Sequence, residues 1–303
     1  MTENGDGWPS FDYQASSPAI ESLHMQTQVV GKIKLALTPA SPEWQTVPLW
    51  VSARGLTTGL MDGDGRGVEV AFDLIDHRVD VTMSDGGRQT VEIARPMPLR
   101  DFTAAVLGAL SVLGLDVQIN PMTVEVPNPV RCDEYEGCDR YDTEVAGRLH
   151  AIYVRVAAAL ETFRSGFWGK QSQVGLYWGT FDLSVARYNL VPVPPREGVD
   201  LIHRVAMDTE QFEVGFWPGN DRYPRPAFFA YTYPSPAGIA DASIEPKGAR
   251  WDQNMGEFLL DYDDVIASDD PAAAILEFAR STYAVGADLA GWDRTLLDWS
   301  PPA

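Results

Sequence analysis

The chain has 303 residues, 45% of them apolar, which suffices for one large core or two ordinary ones, and its formal net charge is −20. That charge, with no dense cluster of Lys or Arg, excludes a protein built to grip nucleic acid or an anionic membrane, and no apolar run approaches the ~18 residues of a membrane span. No charged-then-apolar leader opens the sequence, which predicts a cytoplasmic protein, and residues 1–7 and 301–303 carry no apolar pattern and are expected to be disordered.

Ser17-Pro18 reads as a helix start, and Ile20, Leu23, Val30, Ile33 and Leu37 recur at near-helical spacing up to Pro39. His24, Gln28 and Lys32 fall four apart, so they form one polar stripe on that helix. A strand is expected from Val47 to Ser52. Val68, Val70, Phe72 and Leu74 then alternate with polar positions, and Val79, Val81 and Met83 repeat the pattern. Asp85-Gly86 supplies a hairpin turn into Gln89, Val91 and Ile93, so the natural reading is a meander. Asp62 to Gly67 has the look of a calcium loop. Arg66 at the fifth position and Asp73 at the twelfth spoil the ligand set, and the run reads as a strand-joining loop.

Pro98 to Gly114 is a second helix, followed by extended residues Val117 to Val126. Pro121, Pro127, Pro129 and an acidic loop holding Cys132 and Cys138 form the boundary between halves. The two cysteines lack further Cys or His ligands nearby, which favours free thiols over structural zinc. A long helix from Asp142 to about Phe163 opens the second half. Strand-like residues 174–190, a linker from Pro192 to Pro195, strands over 212–217, 227–233 and 257–260, and a closing helix through Ile275, Phe278, Thr282, Val285 and Leu289 follow.

The second half echoes the first. Val47 to Thr57 is answered by Val174 to Ser184, each run following a Gly-Lys pair (Gly31-Lys32 and Gly169-Lys170) that closes a helical pattern, and Val68 to Phe72 is matched by Phe212 to Phe216. The expected fold is therefore α+β, with two related helix–strands–helix halves, 8–130 and 140–297, built on mostly antiparallel sheets by internal duplication. Such halves leave a cleft between them, where Val47 should lie over Val174 and Lys32 near Lys170.

No nucleophile elbow, phosphate loop, dinucleotide fingerprint or zinc-protease motif is present. His24 and His77 with Asp73 or Asp76 would suit a divalent metal, yet nothing in the sequence brings them together, so no metal is expected and no cofactor is identified. The aromatic residues Trp178, Trp217 and Tyr231 suit either the core or a cleft holding a planar or sugar-like ligand. Asp182, in an apolar strand, calls for a partner, with Lys170 and Arg187 as candidates.

Taken together, His24 to Lys32, Val47 to Thr58, Asp76-His77-Arg78, Tyr177 to Leu183, Gly215 to Gly219 and Gly256 to Leu260 resemble the bacterial domain-of-unknown-function family 5996, from Trp8 to Trp292. The resemblance carries no activity, cofactor or catalytic residue. Histidine is frequent in that family where this chain has Leu176, a departure that weakens a metal site on that strand.

The expectation that results is a protein that binds, and could transform, a small polar or anionic molecule in the cleft between its halves. His24 would move a proton, Asp182 would orient it, and Gln28, Lys32, Lys170, Trp178, Trp217 and Tyr231 would bind the ligand. The alternative is a non-catalytic interaction or oligomerisation module with its aromatic residues facing a protein partner.

Overall fold

The computed structural model describes residues 7–299; the expected disordered ends fall, Gly7 apart, outside the described residues. Helix α1 spans Tyr13–Leu37, capped by the Asp12 side chain, which accepts from the N–H groups of Gln14 and Ala15. It therefore starts ahead of Ser17-Pro18, and Pro18 lies inside it. It also runs straight through Gly31-Lys32, so that pair does not close a helix as the sequence pattern suggests. Glycine at 31 has a packing reason instead, since a Cβ there would fall inside the Trp178 ring.

The first sheet contains β1 (Trp50–Ser52), β2 (Gly55–Thr57), β3 (Met61–Gly63), β4 (Arg66–Asp73), β5 (Arg78–Met83) and β6 (Arg88–Glu92). Its order is β1-β2-β4-β5-β6, with β3 folded onto β4, and every pairing is antiparallel. The calcium-like run is the β3–β4 turn, where Asp64 (φ 58°) and Gly65 (φ 77°) take the left-handed angles a tight hairpin needs. Helix α2 (Leu99–Val112) closes this half.

Helix α3 (Thr143–Arg164) forms where the pattern from Asp142 to about Phe163 puts it, and the Asp142 side chain caps it. Residues 174–190 do not form one strand. They fold into a hairpin of β7 (Gly175–Tyr177) and β8 (Asp182–Pro192), with Phe181 at φ 63° in the turn. Helix α4 (Leu201–Ala206), β9 (Thr209–Trp217), β10 (Ala227–Tyr233), β11 (Arg250–Asp252) and β12 (Glu257–Asp261) follow. The chain ends in α5 (Tyr262–Ile266), α6 (Pro271–Leu289) and α7 (Arg294–Leu297). The second sheet is antiparallel throughout, in the order β7-β8-β9-β10-β12-β11.

Alternation along the strands decides which face meets the helices. Phe212, Val214 and Phe216 on β9 join the main core, where Phe212 meets Phe163 of α3 and Tyr283 of α6. Their neighbours Gln211, Glu213, Gly215 and Trp217 point to the opposite face, where Trp217, Phe229 and Leu259 form a separate small apolar cluster. The two sheets meet edge to edge beside β1 and β7. There Leu49 and Leu176 exchange backbone hydrogen bonds of 2.9 and 2.8 Å as an antiparallel bridge. One apolar core runs beneath both sheets, through α1, α2, α3 and α6.

Candidate functional site

The polar stripe of α1 faces inward. The Nε2 of His24 lies 3.1 Å from the Trp178 carbonyl and 3.0 Å from that of Gly179, and since both are acceptors, Nε2 carries the proton and donates to them. Burial pushes its pKa down to about 4 against the pull of those carbonyls, so the ring stays neutral at pH 7. It stacks on Phe181 at 4.8 Å. His24 is thus a clamp on the β7–β8 turn and not the proton carrier its near-neutral side chain suggests. Gln28, fully buried, pairs with Val124 as a neighbouring strand would: its Nε2 donates to the Val124 carbonyl (2.8 Å) and its Oε1 accepts from the Val124 N–H (2.9 Å). Lys32 is buried beneath Trp178, its Nζ 5.6 Å from the ring centroid, with burial lowering its pKa.

These two clamps set the position of a carboxyl. Glu125 follows the pinned Val124 and takes the left-handed φ of 55°, a strained conformation for a non-glycine residue. Its carboxyl lies directly over Gly179, where a Cβ would collide with Oε2.

Beyond Glu125 opens the face of the second sheet turned away from α3 and α6. Asp182 at the start of β8, Glu213 on β9 and Glu257 on β12 gather there, with Ser184 and Tyr231 between them. Ser184 Oγ donates to Glu213 Oε1 at 2.7 Å, Tyr231 donates its phenolic proton to Glu213 Oε2, and Thr180 donates to Asp182. Burial, reinforced by the charge of Glu213, pushes Asp182 up to about 7, and burial, with the charges of Asp182 and Glu213, pushes Glu257 up to about 8. Burial raises Glu213 and Glu125 as well. Asp182 is buried, whereas Glu213, Glu257 and Tyr231 keep part of their surface open, so the group is reachable from solvent. Among the described residues no Lys or Arg forms an ion pair with any of the four carboxyls. Neighbouring carboxyls in such a setting hold on to protons near neutral pH, and they can both give and take one.

The corresponding face of the first sheet is the opposite case. Asp73 takes Arg54 at 2.6 Å and Arg78 at 3.3 Å, and Asp80 takes Arg78 at 3.1 Å and Arg88 at 3.0 Å. Asp73 and Asp80 thus each have their cations, and their pKa values lie below the usual range despite burial. At the far end of the second sheet Asp261 is likewise neutralised, by Arg225 and Arg250.

The other expected site residues have other duties. Lys170 pairs with Glu43 at 2.8 Å, across the Tyr188 ring, and so meets neither Asp182 nor Lys32's partner Trp178. The proposed partners of Asp182 fail together, because Arg187 points to the helix side and stacks on Phe163 at 3.5 Å. Trp178 is a core residue whose Nε1 donates to the Val47 carbonyl. Trp217 lies on the carboxyl face, buried, with its Nε1–H lacking an acceptor, and Tyr231 lies at its centre. Of the residues expected from the sequence, Asp182, Trp217 and Tyr231 lie on this face, and Glu213, Glu257, Glu125 and Ser184 were not among those expected. The signal was present in the alternation: Asp182, Ser184, Glu213, Tyr231 and Glu257 are polar positions that alternate with core residues along these strands.

Each histidine has its own separate partner: His77 meets the Tyr141 hydroxyl, His150 the Ala53 carbonyl and His203 Asp200. Among the described residues no group of three or more His, Cys, Asp or Glu side chains is placed to hold a metal. Cys132 and Cys138 are free thiols. Two surface hollows lie elsewhere, one beneath α2 beside Thr103 and Cys132 and one beside α3 at Trp50.

Fold and site define an α+β protein of two antiparallel sheets with helices packed on one side, and among the described residues no helix is long and apolar enough to cross a membrane. The chain belongs to the family of unknown function DUF5996, whose model matches residues 8–299. No curated protein and no solved structure matches it.

Proposed function

We propose that this protein binds, and is equipped to transform by proton transfer, a small polar molecule on the carboxyl face of the second sheet. One observation carries this reading: Asp182, Glu213 and Glu257 lie on one accessible face, with hydroxyls donating to Asp182 and Glu213 and, among the described residues, no Lys or Arg ion-paired to any of the three. A carboxyl that titrates near pH 7 beside a second carboxyl is suited to general acid–base work, because each protonation state is populated where the protein operates. The location supports the reading too, since Glu125 from the first half and the sheet of the second converge there. The anionic ligand expected from the lysines finds no support, as Lys32 lies under Trp178 and Lys170 is held by Glu43. The free thiols are in keeping with a cytoplasmic site of action. Thermal unfolding against a panel of small amines, sugars, amino acids and carboxylic acids tests the reading. A ligand that raises the melting temperature of the wild type but not of Asp182→Asn or Tyr231→Phe supports it, and a panel without a single responder that depends on these residues overturns it.

We propose further that the two halves arose by duplication about an axis through the Leu49–Leu176 bridge. Three pairs of features support this. The aligned residues Leu49 and Leu176 exchange their own backbone bonds. Thr57 donates to Glu69 across β2 and β4, as the aligned Ser184 donates to Glu213 across β8 and β9, with Thr57 opposite Ala71 and Ser184 opposite Gly215. His24 of α1 reaches the β7–β8 turn, while His150 of α3 reaches the Ala53 carbonyl in the β1–β2 turn. On this reading the unpaired acids of the second sheet are the copy that diverged towards function.

A further inference from the structure

We propose that the ligand of the carboxyl face is an organic ammonium compound, an aliphatic amine or polyamine whose charged nitrogen is held among Asp182, Glu213 and Glu257. The inference rests on the reading of this face as the ligand site and goes on to name the chemistry that fits it. Three independent features converge.

The first is charge. Asp73, Asp80 and Asp261 on the two sheets carry arginine partners, Glu69 on β4 meets the Thr57 hydroxyl, and among the described residues the three clustered acids of this face have no cation, so a cation from outside is the partner this cluster lacks. The second is hydrogen-bond inventory. The Ser184, Thr180 and Tyr231 hydroxyls already donate to the carboxyls, which leaves the face with spare acceptors. Gln211, on the same face of β9 two residues before Glu213, is 3% exposed and its Oε1 has no donor. It also adjoins the Tyr231 hydroxyl. A buried acceptor without a donor is costly, and an ammonium group brings three donors and no acceptor. The third is the apolar floor. Phe229 stacks on Tyr231 at 6.5 Å and meets Trp217 at 5.4 Å, a surface suited to the methylene chain of an amine and to its charge over an aromatic ring.

Charge also dictates a proton signature. Asp182 is faced by Tyr177 of β7, Glu213 of β9, Tyr231 of β10, Glu257 of β12 and Glu125, with Tyr153 of α3 behind it and with His203 and Asp200 of α4 beyond Glu125. Among the described residues no Lys or Arg is ion-paired with these groups. Bringing an ammonium into contact with the carboxyls lowers their pKa values, so binding near pH 7.5 releases protons.

Isothermal titration calorimetry of the full chain with spermidine and agmatine, in phosphate and in HEPES at pH 7.5, tests this. The expected result is binding whose apparent enthalpy differs between the buffers in the direction of proton release. Asp182→Asn and Glu213→Gln are expected to weaken it at least tenfold, and Asp73→Asn on the first sheet to leave it unchanged. Folding of each variant is checked by circular dichroism, and Tyr231→Phe serves as the milder variant if either carboxyl substitution unfolds. Failure of both amines to bind, or binding that survives all of the carboxyl-face variants, overturns the inference. Binding of glucose or myo-inositol instead, lost in Asp182→Asn, overturns the ammonium class while the site reading stands. Binding of Mg2+ or Ca2+ without the amines replaces the organic cation by a metal and equally overturns it. Absence of any response removes both the inference and the site.

Discussion

Asp182 titrates in the opposite sense to a salt-bridged carboxylate. Its folded pKa, about 7, stands above the ~3.9 of an unfolded aspartate, so between those values the folded chain holds a proton that the unfolded chain has lost. Its contribution to stability is therefore full below pH ~4 and declines as pH rises to about 7. Asp182→Asn should flatten this slope, leaving stability at pH 4 nearly unchanged and raising it at pH 8 by about 1–3 kcal/mol, as read by urea unfolding across pH. The lysines of the sequence pattern divide in the same way. Lys170→Met strips Glu43, 7% exposed, of its cation and should cost about 1–3 kcal/mol. Lys32→Met removes a buried ammonium that has no carboxylate partner, and it should be neutral or stabilising by up to ~1 kcal/mol. Equal costs for the two would refute this difference in role.

The element that matters most for the site is one that contributes no atom to it. Helix α1 holds the β7–β8 turn through His24 and the 124–125 segment through Gln28, and so it sets Glu125 against Gly179. Gln28→Leu keeps the volume but leaves the N–H and C=O of Val124 without partners. We expect a loss of about 1–3 kcal/mol, with faster amide exchange concentrated at residues 123–126. If exchange is unaltered there, Gln28 is not what holds the segment.

Across the whole molecule, the two halves share a core, an edge-to-edge bridge and reciprocal histidine contacts, and α1 packs against both α2 and α3. Calorimetric unfolding should accordingly be a single transition, its van't Hoff and calorimetric enthalpies equal. Two resolved transitions would mean that 8–130 and 140–297 are separate cooperative units.

The sequence by itself determined the strongly patterned elements, because amphipathic period and capping are local properties: α3 and β10 form where their patterns put them, Asp142 caps α3, and the β3–β4 turn needs only Asp64 and Gly65, whereas the extended run expected over 117–126 forms no strand. It also contained the unpaired acids as polar positions in apolar strands. Only the tertiary structure decided that the His24–Gln28–Lys32 stripe turns inward to bind backbone instead of ligand, that 174–190 breaks into a hairpin, and that Asp182 faces Glu213 and Glu257 and not Lys170 or Arg187. Those outcomes depend on which strand lies beside which and on which face the helices cover, and such long-range pairings are set by the burial of the whole core and not by the spacing of residues along the chain.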